Sequence, residues 1–237
     1  LQRSEQAQTT VYELHALLRQ YAAEQLNQHP GERLQAEAAH AAYFKEFLQQ
    51  RAESAKRGGQ TAVYDEIAAA IDEIRTAWTW TLAQGNLADG HKSVEALFYF
   101  YWSRGWLQEG MATAELTAKA VQHRAPKNRR LLTVAQVWQA EFYGWLGQYH
   151  QAKRLFKQVI SQAHQTAIGP ETVFALIGLG RIQYWLGQYA EAETTFIESL
   201  LLARRIEDGY WISLSLSSLA TTLAEAEMDY RQAWSLY

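Results

Sequence analysis

Few residues in this chain invite a chemical reading. His91 and Glu95 stand four apart, a spacing that puts an imidazole and a carboxylate on one helical face where they can share a metal ion. No third ligand stands within reach, so a solvated pair is the better account and no zinc site is proposed. Gly178-Leu179-Gly180 matches half of a dinucleotide fingerprint, but it lies inside a helical pattern with no strand before it, and close helix packing explains it better. Lys127, Arg129 and Arg130 make a basic patch beside Pro126, read as solvated charges at a turn against the alternative of a phosphate or acidic-partner contact. There is no G-x-x-x-x-G-K-[ST] loop to cradle phosphates, no Cys to act as nucleophile or thiolate ligand, and no Ser or Asp with a paired base and orienter. The expectation is a chain with no catalytic residue, no metal and no cofactor of its own.

The composition agrees with a binding role. At 237 residues and 48% hydrophobic content the chain can bury a sizeable core. Twenty-two Lys and Arg against 25 Asp and Glu give a formal charge of −3 with no long block of one sign, which argues against direct nucleic-acid or anionic-membrane binding. The densest apolar stretch, Ala96 to Trp102, is far short of the roughly 20 residues of a membrane helix, and Leu1-Gln2-Arg3-Ser4 does not open a signal peptide. A cytoplasmic piece of a longer protein is expected, because the sequence starts without Met and stops inside a helical pattern. Only Pro30, Pro126 and Pro170 interrupt a chain rich in Ala, Leu, Gln and Glu, the profile of a helical protein with its prolines at turns. Nine Trp, thirteen Tyr and eight Phe read first as wedges between packed helices.

What must position these residues is a repeat. Trp145-Leu146-Gly147-Gln148-Tyr149-His150-Gln151-Ala152 recurs as Trp185-Leu186-Gly187-Gln188-Tyr189-Ala190-Glu191-Ala192, 40 residues on, and Phe156 is followed by Phe196. A third copy is expected at Tyr230, Ala233 and Tyr237, with Met228 near the position of the turn glycine, and a degenerate one runs through Gly105, Leu107, Gly110 and Ala114. Gly147 and Gly187 can take the left-handed conformation that ends one helix and turns into the next. Ala152 and Ala192 then let two helices approach, and Phe156 and Phe196 fill the space one turn later. Ahead of the repeats, Thr10 to Leu14 reads as a short strand. A helix follows through Leu17, Leu18, Tyr21, Ala22 and Leu26 and stops near His29-Pro30-Gly31.

Leu179, Gly180, Tyr184, Gly187, Tyr189, Ala192 and Phe196 stand in the order of the tetratricopeptide repeat (TPR), and residues 133–237 resemble that family, with a fainter likeness from His91. The period exceeds the usual 34 or so, which implies helices lengthened by a turn or two, and Ser199 replaces a small apolar residue. The string Tyr12 to Leu26 (YELHALLRQYAAEQL) resembles the end of the winged-helix module in bacterial STAND-class (NB-ARC-like) signalling ATPases, some of them transcriptional regulators. His40 to Leu48 and Tyr64 to Leu82 are similar to the two helices that lead from that module into a TPR sensor. Glu73 stands where those relatives commonly have Asn. The resemblance implies an all-α fold: antiparallel helix hairpins in a TPR-like right-handed superhelix, with a short N-terminal β-hairpin or strand remnant of a winged helix. Residues 1–30 would be the end of that module, 31–86 the connecting helices, and 87–237 the repeats, at about 87–126, 129–168, 171–208 and a truncated 210–237.

Stacked hairpins of this kind curve, and their first helices line the concave side. The family's inward positions fall on Lys92, Glu95, Tyr99 and Trp102, then Val137, Glu141 and Trp145, then Ile177, Arg181, Tyr184 and Trp185. Of these Tyr99, Trp102, Glu141, Trp145, Arg181, Tyr184 and Trp185 are the candidate ligand-binding residues, with inter-repeat packing the competing role for each aromatic. Glu141 and Arg181 occupy equivalent positions 40 residues apart and should face one another, as a structural ion pair or as anchors for a ligand. The resemblance implies a sensor that binds a peptide, protein or small-molecule signal on the concave face and controls an upstream nucleotide-binding domain in cis. The alternative is a passive scaffold for partner proteins or for self-association.

Overall fold

The computed structural model describes residues 2–6, 9–13, 15–58, 61–85, 87–163 and 169–235. Two short strands, β1 (Gln2–Gln6) and β2 (Thr9–Glu13), pair antiparallel with Gln2 opposite Glu13 and Gln6 opposite Thr9. This is a local pairing and does not identify a winged helix; Leu14, the last residue of the expected strand, lies outside the described residues. The later elements among the described residues are helices: α1 (Ala16–Gln28), α2 (Pro30–Arg57), α3 (Thr61–Ala69), α4 (Ile71–Gln84), α5 (Gly90–Ser103), α6 (Leu107–Arg124), α7 (Arg129–Trp145), α8 (Tyr149–Ala163), α9 (Pro170–Trp185), α10 (Tyr189–Arg205) and α11 (Gly209–Ser235). Pro30 and Pro170 open α2 and α9, where a missing N–H costs nothing, and Pro126 sits in the α6–α7 turn.

The hairpin turns follow one recipe. Gly105, Gly147 and Gly187 have φ of +70°, +74° and +72°. The following N–H reaches back five residues each time: Trp106 to Tyr101 O at 2.8 Å, Gln148 to Tyr143 O at 2.8 Å, Gln188 to Gln183 O at 2.9 Å. Glu207 does the same work between α10 and α11 at φ +55°, a strained choice for a residue with a Cβ. Each second helix packs on its own first helix and on the next one, so α6, α8 and α10 are sandwiched between successive first helices. The first helices α5, α7, α9 and α11 also touch in order, and the long α2 packs on α5 at the start of the row. Hence α9 is buried nearly all round, whereas α8 buries one face through Ala152, Phe156, Val159 and Ala163. One continuous core runs from Leu48 to Trp211.

Small residues set the helix spacing. A Cβ on Gly178 of α9 would fall inside the Phe156 ring of α8, and one on Gly110 of α6 inside the Phe142 ring of α7; one on Gly180 would meet the Phe196 ring at 2.7 Å. Gly178-Leu179-Gly180 is therefore a packing element. Ser199, buried, donates to Phe196 O at 2.8 Å and meets Ser215 Oγ at 2.9 Å, so a hydroxyl at the apolar position is satisfied locally.

Three expectations need correction. The helix expected over Tyr64 to Leu82 is broken at Ala70; both pieces pack on α2, while α3 also reaches α5 and α4 also reaches α6. No turn occurs near Met228: α11 runs unbroken from Gly209 to Ser235, because Ala224-Glu225-Ala226-Glu227-Met228 are good helix formers and no glycine ends them. The truncated repeat expected at 210–237 is thus a single helix as far as Ser235, and Tyr237 lies outside the described residues. In α1, Leu17, Leu18 and Tyr21 are exposed at 69%, 50% and 61%, and of the apolar face read there only Leu26, where α1 meets α2, is partly buried.

Gly178→Ala should destabilise the fold by about 1–3 kcal/mol through overpacking against Phe156. Adding Phe156→Leu should recover part of that loss in denaturant melts, where a general helix defect would show no recovery.

Candidate functional site

The sequence-derived candidates fall along one stripe on the first helices, and the structure divides that stripe into two regions. Toward the C-terminal ends, beside the glycine turns, Arg181 of α9 binds Glu141 of α7 through Nη2 and Oε2, and the Trp145 indole donates to Glu141 Oε1 at 2.8 Å. Glu141 is only 3% exposed and both of its oxygens are engaged. The guanidinium of Arg181 is held between two indoles, its carbon 5.7 Å from the Trp145 ring centre and 5.6 Å from that of Trp185. Trp102, Trp145 and Trp185 continue as an edge-to-face ladder at 6.0 and 5.2 Å, with Trp102 and Trp145 40% and 43% exposed. Five of the seven candidates are thereby joined. Tyr184 lies outside the cluster, against Tyr189 at 5.6 Å, and Tyr99 is enclosed edge-on to Trp138 at 4.6 Å, a wedge between helices.

Toward the N-terminal ends the same stripe opens into a cavity of about 200 Å³. Lys92 and Glu95 of α5, Arg130, Val137 and Trp138 of α7, Glu171 and Phe174 of α9, and Asp208 and Trp211 at the α10–α11 turn line it, together with Glu53 and Lys56 of α2. Two of its cations are already paired: Arg130 Nε donates to Glu171 Oε1 at 2.8 Å, and Lys56 Nζ lies 3.7 Å from Asp208. The Lys56 ammonium also sits 4.8 Å from the ring centres of both Tyr210 and Trp211. These contacts link the end of α2 to the start of α11 beside the cavity. Glu95 keeps a little of its surface open to the cavity but lies deep among protein atoms. Burial, helped by the charge of Glu171, pushes its carboxyl up to about 7 from the ordinary 4.5, while Lys56 and Arg130 act the other way.

Of the other sequence candidates, Arg130 leaves the basic patch for its ion pair across to α9. The His91 imidazole is held below its ordinary value by burial and then by Arg130, and its Nε2 is enclosed without a partner. Among the described residues no group of three or more His, Cys, Asp or Glu could hold a metal. Glu73 approaches His40, with 2.9 Å between Oε2 and Nε2. The cavity-lining residues missed in the sequence were within reach on α7 and α9: Arg130 and Val134, then Glu171 and Phe174, continue the inward stripe one to two turns toward each N-terminus. Those on α2 carried no repeat signal. No helix among the described residues is long and apolar enough to cross a membrane.

No protein-family model matches the chain, and no curated protein matches it. Among solved structures it is similar to BtubC (BKLC) from P. vanneervenii, with a TM-score of 0.56 at 14% identity over 85% of this chain and 87% of that one. The likeness is one of fold: an all-helical chain with a helical-repeat neighbour.

Two outcomes test this geometry. Arg181→Met should cost about 3–5 kcal/mol by stranding the buried Glu141 carboxylate, and adding Glu141→Gln, which removes the charge and keeps an acceptor for Trp145, should restore most of it in thermal melts. For Glu95 the folded value lies above the unfolded one, so its contribution to stability is complete below pH 4.5 and is lost as pH rises through about 7. Glu95→Gln should therefore stabilise the protein at pH 8, by something on the order of 3 kcal/mol, and leave stability at pH 4 nearly unchanged.

Proposed function

We propose that the chain is the sensing array of a STAND-class signalling ATPase, a TPR-like superhelix that takes a peptide, protein or small-molecule signal on the face of its first helices and controls a nucleotide switch upstream. The resemblance of residues 12–26, 40–48 and 64–82 to the segments that join such a switch to its sensor supports the assignment. The observation that carries it is the cavity, because its wall includes α2. A ligand there touches the connecting segment and the first helices α5, α7, α9 and α11 at once, so occupancy changes the free energy of holding them together. The chain contributes recognition, and its role needs no reactive centre.

The passive scaffold has one observation in its favour: Trp102 and Trp145 leave part of an aromatic ladder open, material suited to a protein contact. The readings separate in the protein that carries the nucleotide-binding core. Deleting residues 87–235 should give output without signal if the array restrains the switch; loss of output on the same deletion would overturn the sensor and favour the scaffold. Trp102→Ala, which leaves the Trp145–Glu141–Arg181 cluster in place, should leave small-signal activation intact and reduce partner capture.

A further inference from the structure

The cavity carries an inference about what it binds, and this deepens the sensing reading just given. Its aromatic wall is continuous: Phe174 stacks on Trp211 at 5.3 Å and 29°, and Trp138 meets Phe174 edge-on at 5.0 Å. The indole nitrogens of Trp138 and Trp211 are sealed from solvent and have no acceptor, although both residues line the cavity. What the tryptophans offer the open space is therefore ring carbon, a π surface that attracts cations. The Lys56 ammonium beside Tyr210 and Trp211 is a cation already held on that wall.

The charges point the same way. Three cations and four carboxylates line the space, and Lys56 and Arg130 are committed to Asp208 and Glu171. That leaves Lys92 and Glu53, both exposed at the rim, and Glu95 in depth with no hydrogen bond or ion pair among the described residues. An anion in the cavity would sit against Glu95 and Glu171, and a neutral guest could offer the Glu95 carboxylate a hydrogen bond at most, without the charge that offsets its burial. We infer that the cavity is a receptor site for a small organic cation, an ammonium group bearing methyl or methylene substituents, with Glu95 as its counter-ion and Trp138, Phe174 and Trp211 as its wall. The volume corresponds to about six or seven waters, room for such a head group and little more.

The groups facing Glu95 are Glu53 and Lys56 of α2, Lys92 and Tyr99 of α5, Arg130 of α7, Glu171 of α9, and Asp208 and Tyr210 at the start of α11. Their balance makes cation binding depend on Glu95 being ionised. The test titrates the chain of residues 1–237 with tetramethylammonium, a permanent cation, and with neopentyl alcohol, a neutral mimic of similar shape, by ligand-observed NMR. Tetramethylammonium should bind saturably at pH 8, at least about tenfold more tightly than the alcohol, and about tenfold more weakly at pH 6. Glu95→Gln, whose fold is checked by its melting curve, should weaken the pH 8 binding about tenfold and flatten the pH dependence; Trp211→Leu should weaken it without flattening. Equal binding of the alcohol, no saturable binding, or binding indifferent to Glu95→Gln would overturn the inference. The deletion experiment stands apart: cation binding with unchanged regulation would sink the sensor and leave the site, and regulation without cation binding would do the reverse.

Discussion

The closeness with which successive helices pack is the constraint on which the rest of this protein depends. Phe142, Phe156 and Phe196 each press a ring onto a glycine of the neighbouring helix, Gly110, Gly178 and Gly180, with no room for a side chain between them. Rings against bare backbone bring α6 onto α7, α8 onto α9 and α9 onto α10, and the left-handed glycines at the turns reverse the chain within three residues. Given that spacing, equivalent positions on α5, α7 and α9 must come side by side. Trp102, Trp145 and Trp185 then touch, and Arg181 reaches Glu141, because the repeat delivers them to one face.

That logic explains how much could be read from sequence. The hairpins of residues 133–208 were legible because a tight turn demands Gly and a close crossing demands small residues, and both leave marks at fixed intervals. The Glu141–Arg181 pair followed from register alone. Other parts obeyed tertiary packing, which leaves no local mark. Ala70 interrupts a helix with neither Gly nor Pro, since its two halves, both against α2, reach on to different helices beyond it. Glu207 performs a glycine's task without being one. The end of the chain misled in the opposite sense: Tyr230 and Ala233 echo the repeat, but helix-forming residues across the expected turn keep α11 straight. The cavity was half legible, its α5 and α7 walls predicted at Lys92, Glu95 and Val137, its α2 wall invisible because that helix belongs to no repeat.

The inner face is ordered electrostatically by pairing charges across hairpins instead of along them. Glu141 with Arg181 and Arg130 with Glu171 each join α7 to α9, and Lys56 with Asp208 joins α2 to the α10–α11 turn. Such pairs add little net stability when solvated, but a buried one penalises any register in which its partner is missing. Glu95 is the exception, a carboxyl in depth with no fixed partner among the described residues, and its burial raises its affinity for a proton.

The contact of Lys56 with Asp208 and Trp211 has an evolutionary corollary. Open solenoids change length freely, since duplication of a unit only extends a free end. Here the first long helix reaches the start of the fourth first helix through a single lysine, so a unit inserted between them would carry Lys56 out of reach of Asp208 and Trp211.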